Sequence, residues 1–70
     1  MRELTVVRLG LDELEAMRLC DAEGMDQQAA GENMGISRGT IQRLLSRGRK
    51  KVVNALLSSE ALLIGKEQDQ

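Results

Sequence analysis

Most of the side chains that carry enzyme chemistry are missing from this chain. Among its 70 residues there is no His, Trp, Tyr or Phe, and the one cysteine is Cys20. A single thiol closes no disulfide, and without His or a second Cys no Cys/His metal site can form. General acid–base work would rest on carboxylates or amines alone, and no nucleophile–base pair stands out. An enzyme is therefore not expected, and neither is a cofactor or a bound metal. What the chain does carry is an array of cations. Arg38, Arg43, Arg47, Arg49, Lys50 and Lys51 fall within residues 36–59, a stretch with no acid and a net charge of +6. Residues 1–35 carry three basic and eight acidic side chains, a net of −5, and residues 60–70 a net of −2, so the whole chain stands at −1. A one-sign block inside a balanced chain is an electrostatic footprint for a polyanion. A solvated helix face paired with the acidic first half gives the same count, so charge alone does not decide. The absence of aromatic residues removes the stacking platforms that single-stranded nucleic acid needs.

The elements that must position these cations can be read from caps and periodicity. Residues 4–9, rich in β-branched side chains, suit a short strand. Gly10 serves as an N-cap, with Asp12, Glu13 and Glu15 in the first turn where the helix dipole favours acids. A first helix is expected over about 11–22, with Leu11, Leu14, Met17 and the Arg18 stem along one side and Gly24 as its C-cap. Asp26 caps a second helix over about 27–33 that stops at Gly35. Ser37 caps a third, which nothing breaks until about Ser59. The tail, residues 60–70, holds one apolar run, Ala61–Ile64, before a polar end expected to fray.

On a helical wheel, Ile41, Leu44, Leu45, Gly48, Val52, Ala55 and Leu56 of the third helix share one arc. Arg43, Arg47, Lys50 and Lys51 lie opposite, with Thr40 and Asn54. Charges that serve only solubility are usually mixed in sign, so this segregation favours a cationic surface with a purpose. Arg49 misses the stripe and is expected to partner an acid of the first helix. Val53 and Leu57 miss the core arc and leave an apolar edge.

Two short helices joined by a tight Gly-containing turn, the second one basic, describe a helix-turn-helix. The pattern falls on residues 27–46. Gly31 stands where the helices cross closely, Gly35 four residues later where the turn needs positive φ, and Ala30, Met34, Ile36, Ile41 and Leu44 at the apolar positions. A plain three-helix core with a similar crossing is the alternative. In the motif, the start of the second helix enters the major groove. Arg38, Gln42 and Arg43 are the candidates for base readout, since Arg pairs bidentately with guanine and Gln with adenine. Ser37 and Thr40 at the helix start suit phosphate oxygens. Arg47, Lys50 and Lys51 suit the DNA backbone as well, as do Gln27 and Gln28, which open the first motif helix.

These residues carry a resemblance. The stretch GMDQQAAGENMGISRGTIQRLLSRGRKKVVNAL resembles the fourth region of bacterial sigma-70-type factors, which reads the promoter −35 element. The run from LDELEA to ALLI, about residues 9–64, is more closely similar to the domain-of-unknown-function 134 family of bacteria and archaea, and LDELEA and MGISRGTIQRLL are its most specific parts. The resemblance implies an all-α, three-helix, sigma-region-4-like domain with short extended ends and a transcription-linked DNA-binding role. The chain departs from the family in three ways. Only MRELTVV precedes the helices, where a basic arm containing Pro and Cys is usual. Gly31 and Gly48 replace a common Ala, each at about 1 kcal/mol of helix propensity. Ala29 and Asn33 replace charged residues.

The reading at this point is a single domain, residues 1–70, that binds double-stranded DNA sequence-specifically as a transcriptional regulator. With about four to six phosphates neutralised per subunit, log K is expected to fall against log salt with a slope of about −4 to −5. The alternative is an interaction module of the same fold that touches RNA polymerase or a ribonucleoprotein without reading bases, which the acidic first half and a pI near 5.3 favour. A core this small and free of aromatics usually needs a partner subunit. A homodimer is expected, with Val6, Val7 and Leu62–Ile64 covering the Val53/Leu57 edge across a two-fold axis rather than pairing with each other. The longest apolar runs reach four residues, too short to span a membrane, and a cytoplasmic location is expected.

Overall fold

The computed structural model describes residues 6–58 and 61–65. In chain order the elements are β1 (Val6–Leu9), α1 (Leu11–Met17) continued by a π-helical turn (Arg18–Ala22), α2 (Gln27–Met34), α3 (Arg38–Leu57) and β2 (Ala61–Ile64). Leu4, Thr5, Ser59 and the polar end after Gly65 lie outside the described residues, so the readings made for them have no counterpart here.

The expected helical domain with short extended ends is found, the strand expected over residues 4–9 being described at Val6–Leu9, and the two ends add a sheet that an all-α chain lacks. β1 and β2 form a two-stranded parallel sheet, Val6 opposite Ala61 and Leu9 opposite Ile64, and the Gly65 N–H extends the ladder to the Leu9 carbonyl at 3.0 Å. Parallel strands need a long crossover between them, and here the whole helical body supplies it. The ends thus pair with each other within one chain. This overturns the arrangement in which they cross a two-fold axis to cover α3.

The helix boundaries follow local chemistry. The Glu13 carboxylate accepts the Gly10 N–H at 2.9 Å at the start of α1. Asp26 accepts the Ala29 N–H at 2.8 Å and caps α2. Gly35 ends α2 in the left-handed region at φ +72°, where a Cβ is strained, and the Ile36 N–H returns to the Gly31 carbonyl at 2.9 Å. Ser37 caps α3 by accepting the Thr40 N–H at 3.1 Å. At the end of the first helical segment the Glu23 N–H reaches the Arg18 carbonyl at 2.9 Å, five residues back, which widens that turn.

Ala16, Leu19, Ala30, Ile41, Leu44 and Leu45 form the central core, flanked by half-buried Met17, Cys20, Met25, Met34 and Ile36. The inward face of α1 differs from the expected one. Glu13 and Ala16 are buried while Leu11 is 57% exposed, because a carboxylate can face inward when a cation meets it. Leu56, expected in the core, is 76% exposed. The closing turn of α3 leaves Val53, Leu56 and Leu57 all exposed.

Candidate nucleic-acid interface

The site is built where α2 and α3 meet. A Cβ on Gly31 would stand 2.7 Å from the Ile36 carbonyl oxygen and 3.5 Å from the Arg38 nitrogen, so the two helices cross at a distance that an Ala would not fit without a shift. Ala30, Gly31, Ile41 and Leu44 are buried, and Met34 and Ile36 are half-buried. With Gly35 at positive φ, the seven expected positions all occupy the junction. The crossing turns one face of α3 outward.

On that face Arg38, Gly39, Gln42, Arg43, Arg47 and Lys50 are exposed. Arg38 and Gln42 join Asp26, Gln27 and Gln28 around an open cleft of about 440 Å³, so the starts of α2 and α3 share one polar concavity. Asp26 is a component the sequence reading treated only as a cap. Among the described residues no carboxylate lies within ion-pair distance of Arg38, Arg43, Arg47 or Lys50. The Thr40 hydroxyl is half-buried and engaged locally, 2.9 Å from the Ser37 hydroxyl and accepting from the Arg43 guanidinium at 3.3 Å. This braces Arg43 one turn into the helix. Gln28 donates to Glu32 at 3.3 Å on the exposed side of α2.

Lys51 is not part of the free face. Its Nζ donates to the buried Glu13 carboxylate at 2.8 Å, a link between the start of α1 and the middle of α3. Burial works to raise the Glu13 pKa, but the Lys51 hydrogen bond, the Gly10 N–H and the charges of Lys51 and Arg47 together hold it below the usual carboxylate range. Lys51, expected at the DNA backbone, is engaged with Glu13 in the structure. Arg49 forms a two-pronged pair with Asp21, at 2.6 and 3.1 Å. This pair lowers the Asp21 pKa and raises that of Arg49, and it gives Arg49 the acidic partner expected for it. Of the six cations in the block, two are thus spoken for and four remain on the open face. Sequence reasoning missed the Glu13–Lys51 pair, because the two partners lie 38 residues apart.

No helix among the described residues is long and apolar enough to cross a membrane.

Fold and surface together define a small helical domain, tied at its ends by a two-stranded parallel sheet, with a cationic helix face beside a polar cleft. The chain belongs to the family described as "Protein of unknown function DUF134", whose model matches residues 1–69. It is 47% identical over 64 residues to a UPF0251 protein of Aeromonas salmonicida, covering 91% of this chain and 63% of that one. A UPF0251 protein of Rhodospirillum rubrum matches at 47% over the same share of this chain and 45% of its own length. One from Pyrococcus furiosus is 51% identical over 53 residues, 76% of this chain and 49% of that one. The chain spans about half the length of the curated relatives it matches. No solved structure matches it.

Proposed function

We propose that this chain is a helix-turn-helix domain that binds double-stranded DNA sequence-specifically, as a homodimer, in transcriptional regulation. The observation that carries the reading is the junction itself. Gly31 packs against the Ile36 carbonyl, Gly35 turns the chain, and α3 leaves with Arg38, Gln42, Arg43, Arg47 and Lys50 on an open face, its four cations forming no ion pair among the described residues. In this reading α3 lies in the major groove. Arg38, Gln42 and Arg43 read base edges, while Ser37, Gln27, Gln28, Arg47 and Lys50 hold phosphates. Val53, Leu56 and Leu57 leave an exposed apolar end on α3, the kind of surface that a protein contact covers; in this reading a second copy sits there, and reading two half-sites requires the two α3 helices about 34 Å apart, one turn of DNA.

A salt titration on duplex DNA tests the reading. Four free cations correspond to a slope of log K against log salt of about −3 to −4 per subunit, less steep than the whole charge block implies. A slope shallower than about −2 removes duplex DNA as the main ligand. The second reading, a module that docks on RNA polymerase or a ribonucleoprotein without reading bases, draws on the same apolar end and on Asp26 at the cleft. It predicts that shallow slope.

A further inference from the structure

Each glycine in a helical chain costs stability relative to alanine, so each asks for a reason. The chain has seven, and for five the reason lies inside the molecule, in the backbone conformation or in close packing. Gly24, Gly35 and Gly65 hold φ of +81°, +72° and +101°. A Cβ on Gly31 would meet the Ile36 carbonyl at 2.7 Å, and on Gly48 it would press on Met17 at 3.0 Å and on the Glu13 Cβ at 3.3 Å, whereas Gly10 N-caps α1, where only the movable Asp12 carboxylate stands in the way. Gly39 has no such reason. Its φ is ordinary, it lies exposed in the first turn of α3, and a Cβ there would find nothing nearer than the Ser37 hydroxyl at 3.9 Å and the Arg43 guanidinium at 4.0 Å. The surrounding residues are Arg38 beside it in sequence and Gln42 and Arg43 one turn on. A Cβ on Gly39 would thus meet only ordinary contacts, one of them the Arg43 guanidinium assigned to base readout.

We infer that Gly39 is a specificity-determining residue, the point at which the α3 backbone comes closest to a base-pair edge. The inference rests on the DNA reading above. Removing the Cβ lets the helix axis settle deeper by roughly one bond length, about 1.5 Å. Hydrogen bonds between side chain and base edge tolerate little more than a few tenths of an ångström. Arg38, Gln42 and Arg43 therefore reach their bases from this depth, whereas Arg47 and Lys50, further along α3, contact phosphates through flexible stems that absorb the shift.

The test is Gly39→Ala, with Gly39→Leu as a larger probe. Thermal unfolding is measured alongside affinity for a duplex bearing the best site recovered from random-sequence DNA and for random duplex itself. Alanine should raise Tm by about 2–8 °C. It should weaken binding to the selected site by about tenfold or more, with leucine weakening it further. Affinity for random duplex and the salt slope should hold, while a Lys50→Ala control lowers both. If Gly39→Ala binds the selected site as the parent does, close approach is overturned and the DNA reading survives. A fall in Tm overturns the inference by exposing an intramolecular role. If the parent chain binds no duplex with a steep salt slope, the DNA reading fails and takes this inference with it.

Discussion

Lys50 and Lys51 are adjacent cations on one helix, but Lys51 binds Glu13 while Lys50 lies on the exposed face proposed to meet DNA. Lys51→Ala removes the partner of a carboxylate whose side chain is only 6% exposed, leaving Glu13 with the Gly10 N–H alone. An uncompensated buried acceptor costs about 1–3 kcal/mol, more when charged. Breaking a fully buried pair costs about 3–5 kcal/mol. The Lys51 side chain is 36% exposed, so water softens the loss, and about 2 kcal/mol is the expected cost. In a domain this small that lowers Tm by about 8–16 °C. The pH dependence gives the cause. In the parent chain the folded Glu13 pKa is depressed, so its stabilisation is complete above the ordinary carboxylate value and is lost as pH falls through the folded value. Without Lys51 the hydrogen bond and charge that do most to lower the Glu13 pKa are gone, so the folded value moves up and this pH-dependent stabilisation shrinks. The gap between parent and variant should therefore narrow as pH falls below the ordinary carboxylate value and through the depressed folded one. Lys50→Ala should leave Tm nearly unchanged and reduce the DNA salt slope by about one unit. Thermal melts across pH and salt titrations on random duplex measure both variants. If Lys51→Ala melts like the parent and flattens the salt slope instead, the assignment of Lys51 to Glu13 is refuted.

Arg43→Ala should cost about 1–3 kcal/mol on the best duplex site and flatten base preference at one position, and equal losses on selected and random DNA would remove Arg43 from base readout. Gly31→Ala gains about 1 kcal/mol of helix propensity but forces a Cβ toward the Ile36 carbonyl, and overpacking costs about 1–3 kcal/mol; a lowered Tm is expected, opposite in sign to Gly39→Ala. Leu57→Asp touches a side chain 78% exposed, so it should spare the fold and shift sedimentation at micromolar concentration from dimer to monomer. A folded monomer in the parent chain, unaffected by that substitution, refutes the dimer.

What was legible in the sequence was local. Asp26 and Ser37 cap the helices they precede, Gly35 takes the left-handed conformation, and the spacing from Ala30 to Leu44 places the junction, because each depends on neighbours within a turn or two. What was not legible was remote or contrary to pattern. The Glu13–Lys51 pair spans 38 residues, and a wheel of α1 scored on hydrophobicity turns Glu13 outward and Leu11 inward, the reverse of what is found. The parallel pairing of Val6–Leu9 with Ala61–Ile64 joins the two ends of the chain, and neither segment carries a turn signal naming its partner. On the candidate face, residue types and exposure were readable for Arg38, Gln42 and Arg43. Lys51 was not, since a helix places it beside the stripe and only its acidic neighbour withdraws it.

The placement of acids bears on an apparent conflict, a net-negative chain for which a polyanion is the proposed ligand. Asp21 and Glu13 lie near opposite ends of the first helical segment, and each draws one cation of α3, Arg49 and Lys51, to a different flank of that helix. These pairs stitch α1 to α3 at two points while leaving the outward arc untouched. The Gly31 crossing fixes α2 against the same helix from the other end. α3 is thereby held by both neighbours, with its direction set by packing and ion pairs that involve none of the side chains on its open face. Acids that lower the overall charge are thus the ones that present the remaining cations. Because charges are screened beyond about 10 Å near physiological salt, a ligand at this face meets chiefly Arg38, Arg43, Arg47 and Lys50, with Asp26 at the cleft, rather than the net charge of the chain. Preorganisation of this kind lowers the ordering cost of binding, because the helix that meets the ligand is already anchored before it arrives.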